Sequence, residues 1–250
     1  GNDADLKIEP NKGAISVGDI IGTACGSATD VILDAGTSTT RIGAVGTGNT
    51  DINDLTVSGT GVITLTGNVI TEDSTAAGDN GATAEDGAQS YAGAVVLSGT
   101  DITLTTGGGG ATFSSTINSE ANVGGTASAA RGLTIANTDG AVSVTGAIGA
   151  GSNGTLGALV IGTAEADGNT GNITLSNSIG SDSAAGAASI SIGNSRTGTL
   201  ALAGADYNST GSQMFESDDF DLSGTAITFT SANGGGTDTI DFLDGAGGQI

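Results

Sequence analysis

The segment ESDDFD, residues 216–221, sets Asp218, Asp219 and Asp221 within one short stretch. Clustered carboxylates can divide the general-acid and general-base roles at a glycosidic bond. They do so only when two of them face one cleft at a defined separation. Such sites on stacked-strand proteins also draw Arg, Lys or His onto the same face. The chain has no His, and Arg41, Arg131 and Arg196 fall in different repeat units. A solvated acidic turn entering a strand is therefore the stronger reading, and no enzymatic activity is expected.

A second acidic run, GGGTDTIDFLDGAGG (residues 234–248), places Asp238, Asp241 and Asp244 among glycines. Carboxylate oxygens are hard ligands suited to calcium. The run is loosely similar to the Gly/Asp nonapeptide repeat of calcium-binding β-rolls, but it lacks the regular Gly-x-Asp spacing and has no tandem copies. Asp238, Asp241 and Asp244 are the candidate ligands of one structural calcium ion, set against their reading as surface turn residues. Glu72, Asp73, Asp79, Glu85 and Asp86 offer further loop oxygens. Cys25 is the only cysteine, so it forms no internal disulfide and reads as a small buried hydrophobe or an unpaired thiol. Asn153, Asn172 and Asn208 each begin an Asn-x-Ser/Thr sequon, a pattern expected by chance in so Asn- and Thr-rich a chain.

Composition narrows the partners. With 5 Lys and Arg against 27 Asp and Glu, the formal charge is −22. Phosphate backbones and anionic headgroups are repelled by such a surface, so nucleic acid is excluded as a partner. No apolar run is long enough to cross a bilayer as a helix, so no transmembrane segment is expected. Only 13% of residues are charged and 36% are apolar, which separates the chain from disordered acidic tails. Aromatics make up just 3%, so the core is thin and built from Val, Ile, Leu and Ala. A thin core repeated many times suits a stacked fold.

The elements that must carry these residues are short strands. VITLT (62–66), DITLT (101–105), NITLS (172–176) and AITFT (226–230) alternate strictly, which marks one buried face. A longer pattern, apolar-any-apolar, three residues, apolar, fits Val142, Val144 and Ile148, then Ile173, Leu175 and Ile179. It also fits Ile63, Leu65 and Val69, and Ala111, Phe113 and Ile117. The three-residue gap marks a corner where the inward phase resets. Read as one unit per coil, these copies predict that Val144, Leu175, Leu202 and Phe229 form one inward ladder. No segment has helical spacing, and the Gly-broken stretch 71–94 reads as a lateral loop containing Tyr91. The outward Thr64, Thr66, Thr103, Thr105, Ser143, Thr145, Thr174, Ser176, Thr228 and Thr230 predict Thr/Ser ladders. Those ladders read as ordinary solvated strand faces in preference to an ice-binding array.

Near-identical strands at steps near 30 residues favour a β-solenoid over a sandwich. About eight irregular coils at ~4.8 Å per coil give a short rod with lateral loops. The expectation is a single domain over 1–250: an N-terminal coil or assembly segment (1–30), regular coils (31–204) and aromatic-enriched terminal coils (205–250).

The phrases LTIANTDGAVSVTGAIGAGSNGTLGALVIG (133–162) and GNITLSNSIGSD (171–182) resemble the β-strand repeats of filamentous-haemagglutinin-like adhesins and autotransporter passengers. The resemblance runs from about residue 31 to 245 and lies in composition and period. It implies a right-handed parallel β-helix displayed outside the cell and carries over no catalytic residue. The expected role is a structural subunit that stacks head to tail on itself in a filament, sheath or surface layer. The competing role is an adhesin shaft or binding module whose lateral loops recognise a cell-surface glycan or receptor.

Overall fold

The computed structural model describes residues 5–22, 29–46, 52–71, 87–120, 130–137, 140–150, 154–162, 171–180, 186–194, 197–232 and 237–244. Among these the chain is all β, in strands of three to seven residues. Coil 1 holds β1 (Leu6–Ile8) and β2 (Ile15–Val17), and coil 2 holds β3 (Val31–Leu33) and β4 (Thr40–Ile42). Coil 3 holds β5 (Leu55–Val57), β6 (Ile63–Leu65) and β7 (Val69–Thr71). Coil 4 holds β8 (Gln89–Tyr91), β9 (Val95–Leu97) and β10 (Ile102–Thr106). Coil 5 holds β11 (Ala111–Phe113), β12 (Ile117–Ser119) and β13 (Leu133–Asn137). Coil 6 holds β14 (Val142–Val144) and β15 (Leu156–Ile161), and coil 7 holds β16 (Ile173–Leu175) and β17 (Ala187–Gly193). Coil 8 holds β18 (Thr199–Leu202), β19 (Asp206–Ser209) and β20 (Gln213–Ser217). Coil 9 holds β21 (Asp219–Leu222), β22 (Thr228–Ser231) and β23 (Ile240–Asp244).

Each coil contributes one rung to each of three faces, and the strands pair in parallel throughout the described residues. The first face is a nine-stranded sheet in the order β1-β3-β5-β8-β11-β14-β16-β18-β21. Where a second- or third-face strand is missing, a single bridging residue keeps the ladder going. Ile20 and Val45 do this in coils 1 and 2, and Ile148 and Ile179 in coils 6 and 7. The fold is a parallel β-helix with nine coils among the described residues, one more than the repeat spacing predicted.

The reason lies in the two-residue period of a strand. In Val142–Val144 and Ile173–Leu175 the outer residues are buried and the middle one is not. Equivalent residues then stack directly, since Val142 pairs with Ile173 and Val144 with Leu175. Leu175 continues to Leu202, and Leu202 to Leu222. Phe229 is not on this ladder: it lies on the second face, in register with Tyr207. The error has a physical origin. The apolar motif marks a corner, and each coil has three corners. Ile63 and Leu65 belong to a second-face strand, whereas Ala111 and Phe113 belong to the first face, so aligning them compared different corners.

Tyr91 is also core and not loop. It is fully buried in β8 and stacks on Phe113 of the next coil, with ring centroids 5.0 Å apart and planes 13° apart. Beside it, the buried Gln89 occupies an inward position. Its Nε2 donates to Thr105 O (2.9 Å), Thr71 Oγ1 (3.1 Å) and Val69 O (3.2 Å), and its Oε1 accepts from the Tyr91 hydroxyl (2.9 Å). A buried amide so engaged ties three strands together at a corner. Gln89→Leu removes all four bonds and strands the phenol without an acceptor, so a loss of about 1–3 kcal/mol is expected in urea melts. A loss within error of zero would show that the network does not stabilise the corner.

Corners are also stitched in one direction along the stack. Asp54 Oδ1 accepts the N–H of Ala88 (2.7 Å), Asn68 Oδ1 that of Thr103 (2.9 Å), Asp101 Oδ1 that of Gly132 (2.7 Å) and Asn172 Oδ1 that of Thr199 (2.9 Å). Each acceptor sits in one coil and its donor in the next. This gives the Asn- and Asp-rich corners a structural role.

Burial raises the phenol of Tyr207 to about 12, against a contrary pull from the Gly204 N–H, and drives that of Tyr91 up as well. Both folded values exceed the unfolded value of 10.0, so the fold favours the neutral phenol. That stabilisation is fully present below pH 10 and is lost as pH rises through the folded values. Thermal melts should therefore decline above about pH 10, with tyrosinate absorbance appearing together with loss of structure. Tyrosinate formed near pH 10 in a still-folded protein would contradict this burial.

Candidate functional site

The carboxylates singled out in the sequence do not converge. Asp219 and Asp221 are exposed on the outer side of β21. Both project from the same side of one strand, so the two do not face each other as the two walls of a cleft would. Asp238, Asp241 and Asp244 all lie in coil 9. Register pairs Met214 with Asp241 and Ser217 with Asp244, and Met214 points outward in β20 while Ser217 points inward. The strand period thus places Asp241 and Asp244 on opposite sides. Asp241 Oδ2 accepts from Thr239 Oγ1 (2.6 Å), and Asp238 Oδ2 is buried without a hydrogen-bond partner. Among the described residues no three Cys, Asp or Glu side chains form a group that could hold a metal ion. Glu72, Asp73, Asp79, Glu85, Asp86, Cys25, Asn153 and Arg196 lie outside the described residues. Of the remaining sequons, Asn172 is exposed with its Oδ1 engaged by Thr199, and Asn208 is buried within β19.

The outward polar ladder exists on the first face, with Thr56, Ser90, Thr112, Ser143 and Thr174 in successive coils. It is one residue wide within each strand and gives way to Ala201 and then Asp221. On the second face Thr64 is flanked by Arg41 and Val96, so no Thr/Ser ladder forms there.

What the stack does gather is uncovered apolar surface at its two ends. Interior coils bury their inward residues almost completely, because a coil lies on either side. Among the described residues, the half-covered apolar side chains packed on the core are Ile8, Val17 and Ile20 in coil 1 and Phe220, Ile227, Phe229 and Phe242 in coil 9. Leu6 (42% exposed) and Ile21 (62%) add to the first end, and Leu222 (52%) and Ile240 (36%) to the last. Val62 is the one exposed large apolar residue elsewhere in this set.

At the last coil the exposed core is aromatic. Tyr207 and Phe229 stack at 5.1 Å, Phe215 and Phe242 at 5.2 Å, and Phe220 meets Phe242 edge-on at 5.8 Å. Such pairs add to the area they bury. The aromatic clustering near the C-terminus was visible in the sequence. The sequence left these rings as either a thicker terminal core or an end interface; the stacking order places them in the last two coils.

No family model matches the chain, and neither does any curated protein or solved structure. No helix among the described residues is long and apolar enough to cross a membrane.

Proposed function

We propose that this chain is a non-enzymatic structural protein of the cell exterior, a β-solenoid subunit whose stack continues from one copy into the next. One observation carries the reading: uncovered inward-facing apolar residues segregate to coil 1 and coil 9. Among the described residues no further strand pairs with the outer edge of coil 1 or coil 9, which leaves each edge a template for further pairing. A contact between unlike ends is heterologous, so it propagates into an open filament unless it curves into a ring. A filament, or a sheath or surface layer built from such filaments, is consistent with this joint. The exterior setting rests on the resemblance to adhesin and autotransporter repeats.

Sedimentation velocity and negative-stain microscopy at micromolar concentration test the reading. The intact protein should form rods one solenoid wide. Leu222→Lys, which places an ammonium in the uncovered end while leaving the interior coils intact, should shorten or abolish them. An intact protein that stays monomeric overturns head-to-tail assembly and favours the adhesin-shaft role.

A further inference from the structure

Beyond being uncovered, the two ends differ in the cations they carry, although coil 1 also holds Asp5, Glu9 and Asp19. Both lysines of the chain, Lys7 and Lys12, fall in coil 1. Residues 218–244 contain Asp218, Asp219, Asp221, Asp238, Asp241 and Asp244 and neither Lys nor Arg. On the first face the register passes unbroken from Leu6–Val31 at one end to Leu200–Phe220 at the other. Continuing it by one more rung sets Leu6 of a second copy over Phe220, Ile8 over Leu222, and Lys7 against Asp221. Lys7 and Asp221 are both exposed outward-facing residues. The other faces agree, since the second-face ladder runs from Ile15 to Phe229 and the third-face ladder from Ile20 to Phe242.

Resting on the head-to-tail reading above, we infer that a second copy of this chain seats its coil 1 on coil 9 in continuous register, with Lys7 of one copy paired to Asp221 of the next. A slip of one residue would turn Lys7 to the inward side, over an aromatic end, and carry Leu6 and Ile8 to the solvent face. Asp219 strengthens the assignment. It occupies the column in which Asp54 and Asn172 accept an N–H from the following coil, so its carboxylate is placed to take the Asp5 N–H of the next copy. Two features of the same register oppose association: Asp5 meets Asp219 and Asp19 meets Asp241, each a like-charge pair. That repulsion adds to the net charge of −22 and makes the joint stronger as salt rises.

Charge reversal in the full chain tests the register by sedimentation at fixed ionic strength. Within its native copy Lys7 pairs with Glu9 (2.8 Å), an exposed contact whose loss alters folding little. Lys7→Glu should weaken association about three- to tenfold. Asp221→Lys should weaken it as well, although it lowers the net negative charge and a nonspecific charge effect would strengthen association. The double variant Lys7→Glu/Asp221→Lys restores the net charge of the parent, reverses the pair, and should recover near-parental assembly. If Asp221→Lys assembles as well as or better than the parent, or if the double variant is no better than the singles, the register is wrong while head-to-tail stacking stands. If the parent does not assemble at all, the register and the stacking fall together.

Discussion

Leu175→Asp should destabilise the protein by more than the roughly 2–5 kcal/mol typical of truncating a buried Leu, whereas Ser176→Asp, one residue on, should cost about 0.5 kcal/mol or less. Leu175 is 1% exposed, with Val144 of the coil before and Leu202 of the coil after in direct register. A carboxylate there loses the packing of both neighbours and has no cation within the ladder. Part of the cost therefore appears as a raised pKa for the new side chain. By linkage the penalty should ease as pH falls and the buried carboxyl takes up its proton. Ser176 is exposed. Denaturant melts of the two variants at neutral and mildly acidic pH check this directly, and equal losses would contradict the inward–outward assignment on the first face.

Gly149→Ala should cost about 2–5 kcal/mol, because two independent penalties fall on one residue. Gly149 has φ 65°, a left-handed conformation that an L side chain adopts only with strain. It also donates its N–H to Ile117 O (2.8 Å) in the coil before, which fixes its place in the ladder. An added Cβ would collide with Gly186 O and lie 2.7 Å from the Gly186 Cα and carbonyl carbon. That neighbour is backbone in the next coil, so no rotamer change relieves the contact. Gly108→Ala is the matched control: nothing lies within 4 Å of the place its methyl would take, and a change of about 0.5 kcal/mol or less is expected. Comparable melts for Gly149→Ala and the parent would mean that coils 6 and 7 do not approach as closely as described.

Strand positions and corners were legible in the residues because each depends on local rules. Val142, Ser143 and Val144 alternate since a strand shows one face inward, and the short gap before Ile148 is a turn. The phase between distant copies was less legible, because every coil repeats the corner motif and nothing local says which corner is meant. This displaced Ile63 by one face and put Phe229 on the ladder of Leu202 in place of that of Tyr207. Gln89 hid its own strand. A buried amide reads as polar until Val69, Thr71, Thr105 and Tyr91 are seen around it, and those partners come together only in the folded stack. The relation between the acidic residues was not legible from their spacing alone. Asp241 and Asp244 are near in sequence, yet a strand separates residues three apart onto opposite sides. That 14–22 and 237–245 hold strands was legible in their alternation; which of their side chains stay uncovered follows from stacking order.

The most direct test of end-to-end stacking is X-ray fibre diffraction from aligned assemblies of the intact protein. Strands that continue through the joint lie across the filament axis, so a meridional reflection at ~4.8 Å is expected. Nine coils per subunit at that spacing also predict an axial repeat of about 43 Å. A ~4.8 Å reflection on the equator, with strands running along the filament, would contradict end-to-end continuation of the solenoid.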